Sequence, residues 1–265
     1  MKKRFKRIAS IVLTLFVAIL VLAGCGKSSS SQKAQLKTPG TLTIGLEGAF
    51  APYSYRQNGK LTGFEVELGK DLAKKAGLKV NFVPTKWDSL IAGVADKKFD
   101  LALNDIDVTK ARKKNFLFTK PYIYSKYILI TKNNSSIKKI QDIKGKKIGV
   151  GVGTDNETKA KKFGANTVPS SELATTIQLI EEGRIDGTIN SREAFLAYKK
   201  DQPSAKVKGI VVPTSEIKPA KVAGLINKNN KGLKKKLDKA LKALRKDGTL
   251  KKLSQKYFGA NITKK

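Results

Sequence analysis

The sequence predicts an α/β protein built from two similar lobes. Short apolar strands alternate with helical patterns in two successive series, and one junction occurs in both. In each series a helix is followed by a basic, an apolar and an Asp residue and then by a strand, at Lys98-Phe99-Asp100 and at Arg184-Ile185-Asp186. Alternation of this kind is typical of a parallel sheet. The 265 residues suffice for one large or two small domains.

The N-terminal segment predicts export from the cell. Met1–Arg7 is basic and Ile8–Leu22 is apolar, as in a secretory signal peptide, and the segment is too short and asymmetric for a permanent membrane span. It ends in Leu22-Ala23-Gly24-Cys25, which resembles the bacterial lipoprotein box. That resemblance implies cleavage before Cys25 and a lipid on its sulfur. Two acyl chains would give stable anchoring.

These features divide the beginning of the chain. We expect residues 1–24 to be a signal peptide and residues 25–40 to be a lipidated, flexible tether, because Ser28–Ser31 is a polar run of small residues. The protein would then be anchored to the outer face of the cell membrane of a Gram-positive bacterium. Nucleic acid is therefore not an expected partner.

The first α/β series follows the tether. Thr41–Leu46, Val80–Val83 and Phe99–Leu103 are expected strands. Between them, apolar residues at helical spacing predict two helices, the first closed by Gly77 and the second capped by Asp88.

The second series repeats this order. The expected strands are Lys147–Val152, Thr167–Val168 and Ile185–Asn190, and the expected helices begin near Thr154 or Asp155, Ser171 and Ser191. Extended runs at Tyr122–Thr131 and Lys221–Asn227 could link the lobes, and a leucine-striped helix at Lys231–Lys246 precedes a last helix that reaches Phe258. We expect residues 41–125 and 223–263 in the first lobe and residues 126–222 in the second.

Composition limits the chemistry. The chain has no His and one Cys, so Ser-His-Asp and Cys-His catalysis, Cys/His zinc sites and an internal disulfide are excluded. The formal net charge is +33, mostly from scattered Lys, which would attract polyanions. A basic surface adhesin that binds anionic cell-wall polymers or host matrix is therefore an alternative function.

Ligands of open α/β sheets bind beyond the carboxyl ends of the strands, and a cleft between lobes is a usual site for small molecules. Thr109 is a good N-cap for a short helix whose first turn contains Arg112. A guanidinium at a helix N-terminus fits a carboxylate with two hydrogen bonds. This stretch alone favours the simpler interpretation that Arg112 is a solvated surface charge among neighbouring lysines. The rule that ligands bind beyond the carboxyl ends of strands selects five loops as candidate binding segments: Glu47–Tyr53, Pro84–Asp88, Asn104–Arg112, Gly153–Asn156 and Asn190-Ser191.

Several motifs occur in an order that matches one family. They are Gly45-Leu46-Glu47-Gly48, Gly63-Phe64-Glu65, Pro84-Thr85-Lys86-Trp87-Asp88, Gly149-Val150-Gly151-Val152-Gly153-Thr154, Gly183-Arg184-Ile185-Asp186 and Asp247-Gly248-Thr249-Leu250. From about Thr41 to Thr263 the chain resembles the extracellular substrate-binding proteins of amino-acid ABC transporters, solute-binding protein family 3. Within that family it is most similar to the cystine-binding branch and to the basic surface proteins of lactobacilli.

The resemblance implies a two-lobed periplasmic-binding-protein type II fold with a ligand cleft between the lobes. It implies a monomer that binds cystine or another polar amino acid and delivers it to an ABC permease, with no enzymatic activity, cofactor or metal. Family roles place Phe50 over the ligand, Trp87 in the pocket wall and Arg112 on the α-carboxylate. The expected ligand-binding residues are Glu47, Phe50, Trp87, Asn104, Asp105, Asp107, Arg112, Thr154, Asp155, Asn156 and Ser191.

Two positions depart from the family pattern. Ser191 falls where many members have an Asp for the α-ammonium group, and Asp107 falls where a Ser or Thr usually helps to bind the carboxylate. Either Asp107, Asp155 or Glu47 takes over the ammonium, or the ligand is more cationic than cystine. A hydrogen bond to a charged group contributes about 1.5–3 kcal/mol, so the exchange at Ser191 matters for affinity.

Two further alternatives are weaker. Gly149–Gly153 lacks the G-x-G-x-x-G spacing of a dinucleotide loop. An enzyme that uses Asp105 and Asp107 as an acid/base pair would need a nucleophile or a raised carboxyl pKa that the sequence does not reveal.

Overall fold

The computed structural model describes residues 33–264. The predicted signal peptide, Cys25 and most of the predicted tether lie outside these residues. In the described part of the chain, no helix combines the length and the apolar character that crossing a membrane requires.

The described chain alternates short strands and helices. The strands are β1 (Thr41–Leu46), β2 (Tyr55–Gln57), β3 (Lys60–Thr62), β4 (Lys79–Pro84), β5 (Leu101–Ala102), β6 (Phe116–Phe118), β7 (Ile123–Ser125), β8 (Tyr127–Lys132), β9 (Lys147–Val150), β10 (Asn166–Pro169), β11 (Gly187–Ser191), β12 (Val207–Val211), β13 (Ala220–Val222) and β14 (Leu225–Asn227). The helices are α1 (Phe64–Lys75), α2 (Trp87–Ala95), α3 (Lys110–Asn115), α4 (Asp155–Lys162), α5 (Leu173–Glu181), α6 (Arg192–Asp201), α7 (Lys231–Lys246) and α8 (Thr249–Phe258), with a 3₁₀ turn at Ile140–Ile143.

Two five-stranded sheets form the centres of two lobes. The first lobe has the strand order β4-β1-β5-β14-β6 and the second has β10-β9-β11-β8-β12. In each sheet the three strands joined by helices are parallel, as expected. Two further strands, β14 and β8, run antiparallel to their neighbours. Each of these strands enters directly from a segment that crosses between the lobes, without a helical crossover to reverse its direction.

The chain crosses between the lobes twice, in two adjacent segments. Strands β7 and β13 pair antiparallel, with Ile123 opposite Val222 and Ser125 opposite Ala220. These two short strands are the covalent connection between the lobes. The residue limits given above for the lobes stay a prediction, because strand bounds alone do not fix where a lobe ends.

The apolar stripes that predicted the helices face the core. In α7, Leu233, Leu237, Leu241 and Leu244 are buried, and α7 packs on α1 and α8. In the second lobe, Ile177 and Ile180 of α5 are fully buried. Burial of such a stripe, more than intrinsic propensity, stabilises helices of this length.

Two local expectations need correction. The strand expected at Phe99–Leu103 is shorter, because pairing is confined to β5 (Leu101–Ala102). The strand expected at Ile185–Asn190 is shifted toward the C-terminus, because pairing there is confined to β11 (Gly187–Ser191). Asp88 does not cap α2: the helix begins at Trp87, and Lys86 at the N-cap makes no side-chain capping bond. Asp88 lies in the first turn instead, where its negative charge faces the positive end of the helix dipole.

The tether is also shorter than we expected. The backbone N–H of Gln35 donates to Asn230 Oδ1 at 3.2 Å, and that of Lys37 donates to Asp100 Oδ1 at 2.7 Å. Leu36 packs against the core of the first lobe. These contacts hold the chain from Gln35 onward, so a flexible tether cannot extend to residue 40.

Candidate functional site

A cavity of about 80 Å³ lies between the two lobes. Its walls come from the carboxyl ends of strands in both sheets, where the rule for open α/β sheets places ligands. All of the residues that the sequence singled out for ligand contact line this cavity: Glu47, Phe50, Trp87, Asn104, Asp105, Asp107, Arg112, Thr154, Asp155, Asn156 and Ser191. Their roles toward a ligand stay predictions.

Glu47 and Asn104 connect the ends of two neighbouring strands on the first-lobe wall. The Glu47 N–H donates to Asn104 Oδ1 at 2.9 Å, and Asn104 Nδ2 donates to Glu47 Oε2 at 2.5 Å. Burial raises the pKa of Glu47 above its ordinary value, although the bond from Asn104 opposes the shift. Nearby, the ring of Phe50 stacks on that of Tyr53 with centroids 5.1 Å apart.

Asp105 is held in an unusual backbone conformation by a buried acid behind the wall. Its φ is +49°, a region in which Asp and Asn are the most readily accommodated residues after Gly. Its N–H donates to Glu65 Oε1 at 2.8 Å, and the Tyr122 hydroxyl donates to the same oxygen. Burial raises the pKa of Glu65 from 4.5 to about 7, against these two bonds.

Carboxylate oxygens without partners are the most distinctive feature of the first-lobe wall. Among the described residues, Asp105 Oδ1 and Asp107 Oδ1 are shielded from solvent and accept no hydrogen bond. Burial raises the pKa of Asp105 well above its ordinary value, and the charges of Asp107 and Glu65 add to the shift. A buried carboxylate with a free oxygen is unfavourable unless a cation or a proton reaches it.

Arg112 lies where the sequence placed it, in the first turn of α3. The Thr109 side chain caps this helix by accepting from the Arg112 N–H at 3.1 Å, as predicted. The guanidinium donates to the backbone oxygens of Asp107 at 3.0 Å and Gly153 at 3.1 Å, and it lies 5.4 Å from the centre of the Trp87 ring. A guanidinium has five N–H donors, so donors remain for a carboxylate.

On the second-lobe wall, the side chains of Thr154 and Asp155 both have partners within α4. The Thr154 hydroxyl caps α4 by accepting from the Glu157 N–H at 3.0 Å. Asp155 pairs with Lys159 one turn along α4. Burial would raise the pKa of Asp155, but hydrogen bonds from Lys159 and Tyr127 outweigh it and leave the pKa below its ordinary value.

Tyr127 connects acids of the two lobes. Its hydroxyl oxygen lies 2.9 Å from Asp107 Oδ2 and 2.7 Å from Asp155 Oδ2. One hydroxyl hydrogen can serve only one of these oxygens at a time. Burial and the neighbouring Asp155 charge raise the pKa of Asp107, so a proton shared within this group favours Asp107.

Direct hydrogen bonds hold the lobes together around the cavity. Trp87 Nε1 donates to the Val152 oxygen at 3.0 Å, and the Tyr53 hydroxyl donates to Ser191 Oγ at 3.2 Å. Ser191 is also the N-cap of α6. With Arg112 bonded to the same loop of the second lobe, these contacts describe a closed arrangement.

Sequence reasoning missed several hydroxyl-bearing residues of the wall. Ser170 directly follows β10, so the strand-end rule could have found it, and its Oγ lies 2.6 Å from that of Thr176. Tyr127 gave no such signal. It is the first residue of β8, and only the antiparallel pairing of β8 with β11 brings it opposite Ser191, at the ligand edge of the sheet.

Known proteins resemble this chain over most of its length. The L-cystine-binding protein TcyA of Bacillus subtilis (strain 168) is 34% identical over 269 residues, which cover 97% of this chain and 99% of that protein. Among solved structures, an ancestral arginine-binding protein bound to arginine has a TM-score of 0.76 and 34% identity, covering 83% of this chain and 99% of that one.

A third comparison concerns conformation. The L-cystine solute receptor of Neisseria gonorrhoeae in its unliganded open conformation is 38% identical, covering 85% of this chain and 95% of that one, yet its TM-score is 0.58. The arginine-bound structure is less similar in sequence but more similar in shape. This difference agrees with the closed arrangement of the lobes. The model of the bacterial extracellular solute-binding proteins, family 3, matches residues 42–260, and the chain belongs to that family.

Proposed function

We propose that this protein is the extracytoplasmic substrate-binding protein of an amino-acid ABC importer and that it binds cystine or another polar amino acid between its lobes. The observation that carries the proposal is Arg112, a half-buried cation at a helix N-terminus that faces the cavity with unused N–H donors. Such a group suits an α-carboxylate. The names of its relatives, which include cystine-binding and arginine-binding proteins, support this ligand class.

Ligand uptake requires the lobes to separate. The closed cavity of about 80 Å³ is well below the ~300–1,000 Å³ typical of small-molecule pockets. A ligand would enter the open form and then add its own contacts to both walls, which shifts the population toward closure. The closed form would be the one that an ABC permease recognises.

Removal of the Arg112 side chain tests the carboxylate assignment. We expect Arg112→Ala to weaken binding of L-cystine or L-arginine at least ~100-fold, because two hydrogen bonds to a charged group are lost at about 1.5–3 kcal/mol each. Isothermal titration calorimetry at low and physiological salt measures this. Lys113→Ala removes an exposed cation from the same helix and is the matched control. Normal binding by Arg112→Ala would exclude the carboxylate role.

The anchor is a separate part of the proposal. The lipoprotein-box resemblance at Cys25 supports a diacylglyceryl anchor on the outer face of a Gram-positive cell membrane. We expect the chain to fractionate with membranes and Cys25→Ser to release it into the medium, as measured by immunoblotting of cell fractions. Equal membrane retention of both forms would contradict the anchor. The adhesin alternative has no support from the relatives.

A further inference from the structure

We propose that Asp105 and Asp107, both on the first-lobe wall, form the binding site for the ammonium group of the ligand. This inference rests on the proposed function and adds the residues that recognise the positive charge. It also predicts the ligand class: a molecule that presents an ammonium group to the first lobe while its carboxylate meets Arg112.

Three other polar groups of the cavity, Glu47, Asp155 and Ser191, already have partners. Glu47 is bonded to Asn104, and Asp155 is paired with Lys159. Ser191 is uncharged, and its Oγ accepts from the Ala194 N–H as well as from Tyr53. None of these three side chains has a shielded oxygen without a hydrogen-bond partner.

Asp105 and Asp107 differ from these neighbours. Each lines the cavity, and each has an Oδ1 that is shielded from solvent without a hydrogen-bond partner in the described chain. The Arg112 guanidinium does not neutralise Asp107 directly, because it bonds to the backbone oxygen of that residue. Two adjacent carboxyl groups with free oxygens match the three N–H donors of a primary ammonium.

A structural metal is a poorer occupant than an ammonium group. Residues 33–264 contain no set of three His, Cys, Asp or Glu side chains placed to hold a metal ion. The first-lobe wall also carries a positive charge, because Arg112 lies in the same loop-and-helix segment as the two acids. An amino acid supplies both charges that this arrangement requires, whereas a metal ion supplies one.

Calorimetric titration with L-cystine and L-arginine as probes tests the inference. We expect Asp105→Asn and Asp107→Asn each to weaken binding of the probe that wild type binds at least ~10-fold, as expected for loss of a hydrogen bond to a charged group. Asn suits position 105 because it tolerates the positive φ. Asp96→Asn removes an exposed acid of the first lobe away from the cavity and should change the affinity less than twofold.

A charge relocation makes the test sharper. Ser191 lines the same cavity, where its Oγ accepts from the Tyr53 hydroxyl at 3.2 Å, and Asp is as good an N-cap for α6 as Ser. We expect Ser191→Asp in the Asp105→Asn background to recover at least ~5-fold in affinity. A recovery larger than the gain that Ser191→Asp gives in the wild-type background excludes a purely structural role for Asp105.

The outcomes separate the two proposals. If wild type binds a probe and both Asn variants bind it within twofold of wild type, the ammonium site is wrong and the proposed function stands. If wild type binds neither probe, the proposed function fails for these ligands and the ammonium site fails with it. Thermal melting of every variant shows that the fold is retained.

Discussion

On the first-lobe wall of the cavity, Asp105 and Asp107 each keep a shielded carboxyl oxygen without a partner among the described residues. On the second-lobe wall, Asp155 is paired with Lys159 and bonded to Tyr127. The pKa shifts follow this contrast, since the pKa is raised for the first two acids and lowered for the third. Aspartates on the two walls of one cavity therefore have pKa values shifted in opposite directions.

The contrast shows how a cleft can be stable on one side and prepared for a ligand on the other. Asp155 has Lys159 as a permanent cationic partner, so its charge is already compensated. Both residues lie on α4, which fixes the geometry of the pair. An acid buried without a cation is unfavourable until a proton or a ligand cation arrives. We infer that the first lobe supplies the electrostatic attraction for the ligand and that the second supplies a fixed surface against which it closes.

The largest expected effect of this difference is a loss of stability of the unliganded protein as the pH rises. Glu65 has a folded-state pKa of about 7 and an ordinary value of 4.5, so between these values the folded state binds more protons than the unfolded state. The contribution of Glu65 to the free energy of unfolding is then complete below about pH 4.5, and it is lost as the pH rises through 7. At about 1.4 kcal/mol per pKa unit, Glu65 alone accounts for about 3 kcal/mol.

Urea denaturation at pH 5 and pH 8 measures this effect, and Glu65→Gln is the control. The amide resembles the neutral acid, so the variant should lose distinctly less stability over this range than wild type. The raised pKa values of Asp105, Asp107 and Glu47 act in the same direction and should leave the variant with some dependence. Identical pH profiles for variant and wild type would show that Glu65 is not protonated in the folded state.

A smaller effect is expected on the second-lobe wall. Lys159→Met should destabilise the protein by about 1 kcal/mol at pH 7, because it removes the partner of the partly buried Asp155 and the contact of the Lys159 Nζ with the Tyr127 ring, at 4.8 Å from its centre. The pKa of Asp155 should rise in the variant. Urea midpoints and NMR titration of the Asp155 carboxyl carbon measure the two consequences.

Lys161→Met is the matched control for this variant. Lys161 makes the same i,i+4 pair on the same helix, with Glu157, but its side chain is 59% exposed, compared with 19% for Lys159. Exposed pairs of this kind contribute about 0.5 kcal/mol or less. Equal destabilisation by the two substitutions would show that the partly buried Asp155–Lys159 pair stabilises the fold no more than the more exposed Glu157–Lys161 pair does.

The sequence predicted well what is decided within a few residues. Thr109 was predicted as the cap of the helix that carries Arg112, and Thr154 and Ser191 lie at the N-caps of α4 and α6. Apolar spacing predicted the buried stripe of α7. The family resemblance predicted the two-lobed fold, which the similar solved structures confirm.

By itself, then, the sequence determined the alternation of strands and helices, their caps and the family, because periodicity and capping act over one or two turns. Tertiary structure alone decided the directions of β8 and β14, the position of Tyr127 and which acids have partners. These depend on groups far apart in the chain, such as Tyr53 and Ser191, which are 138 residues apart and joined by one hydrogen bond. Whether a buried carboxylate is satisfied is a property of its neighbours in space, and the sequence does not encode that neighbourhood locally.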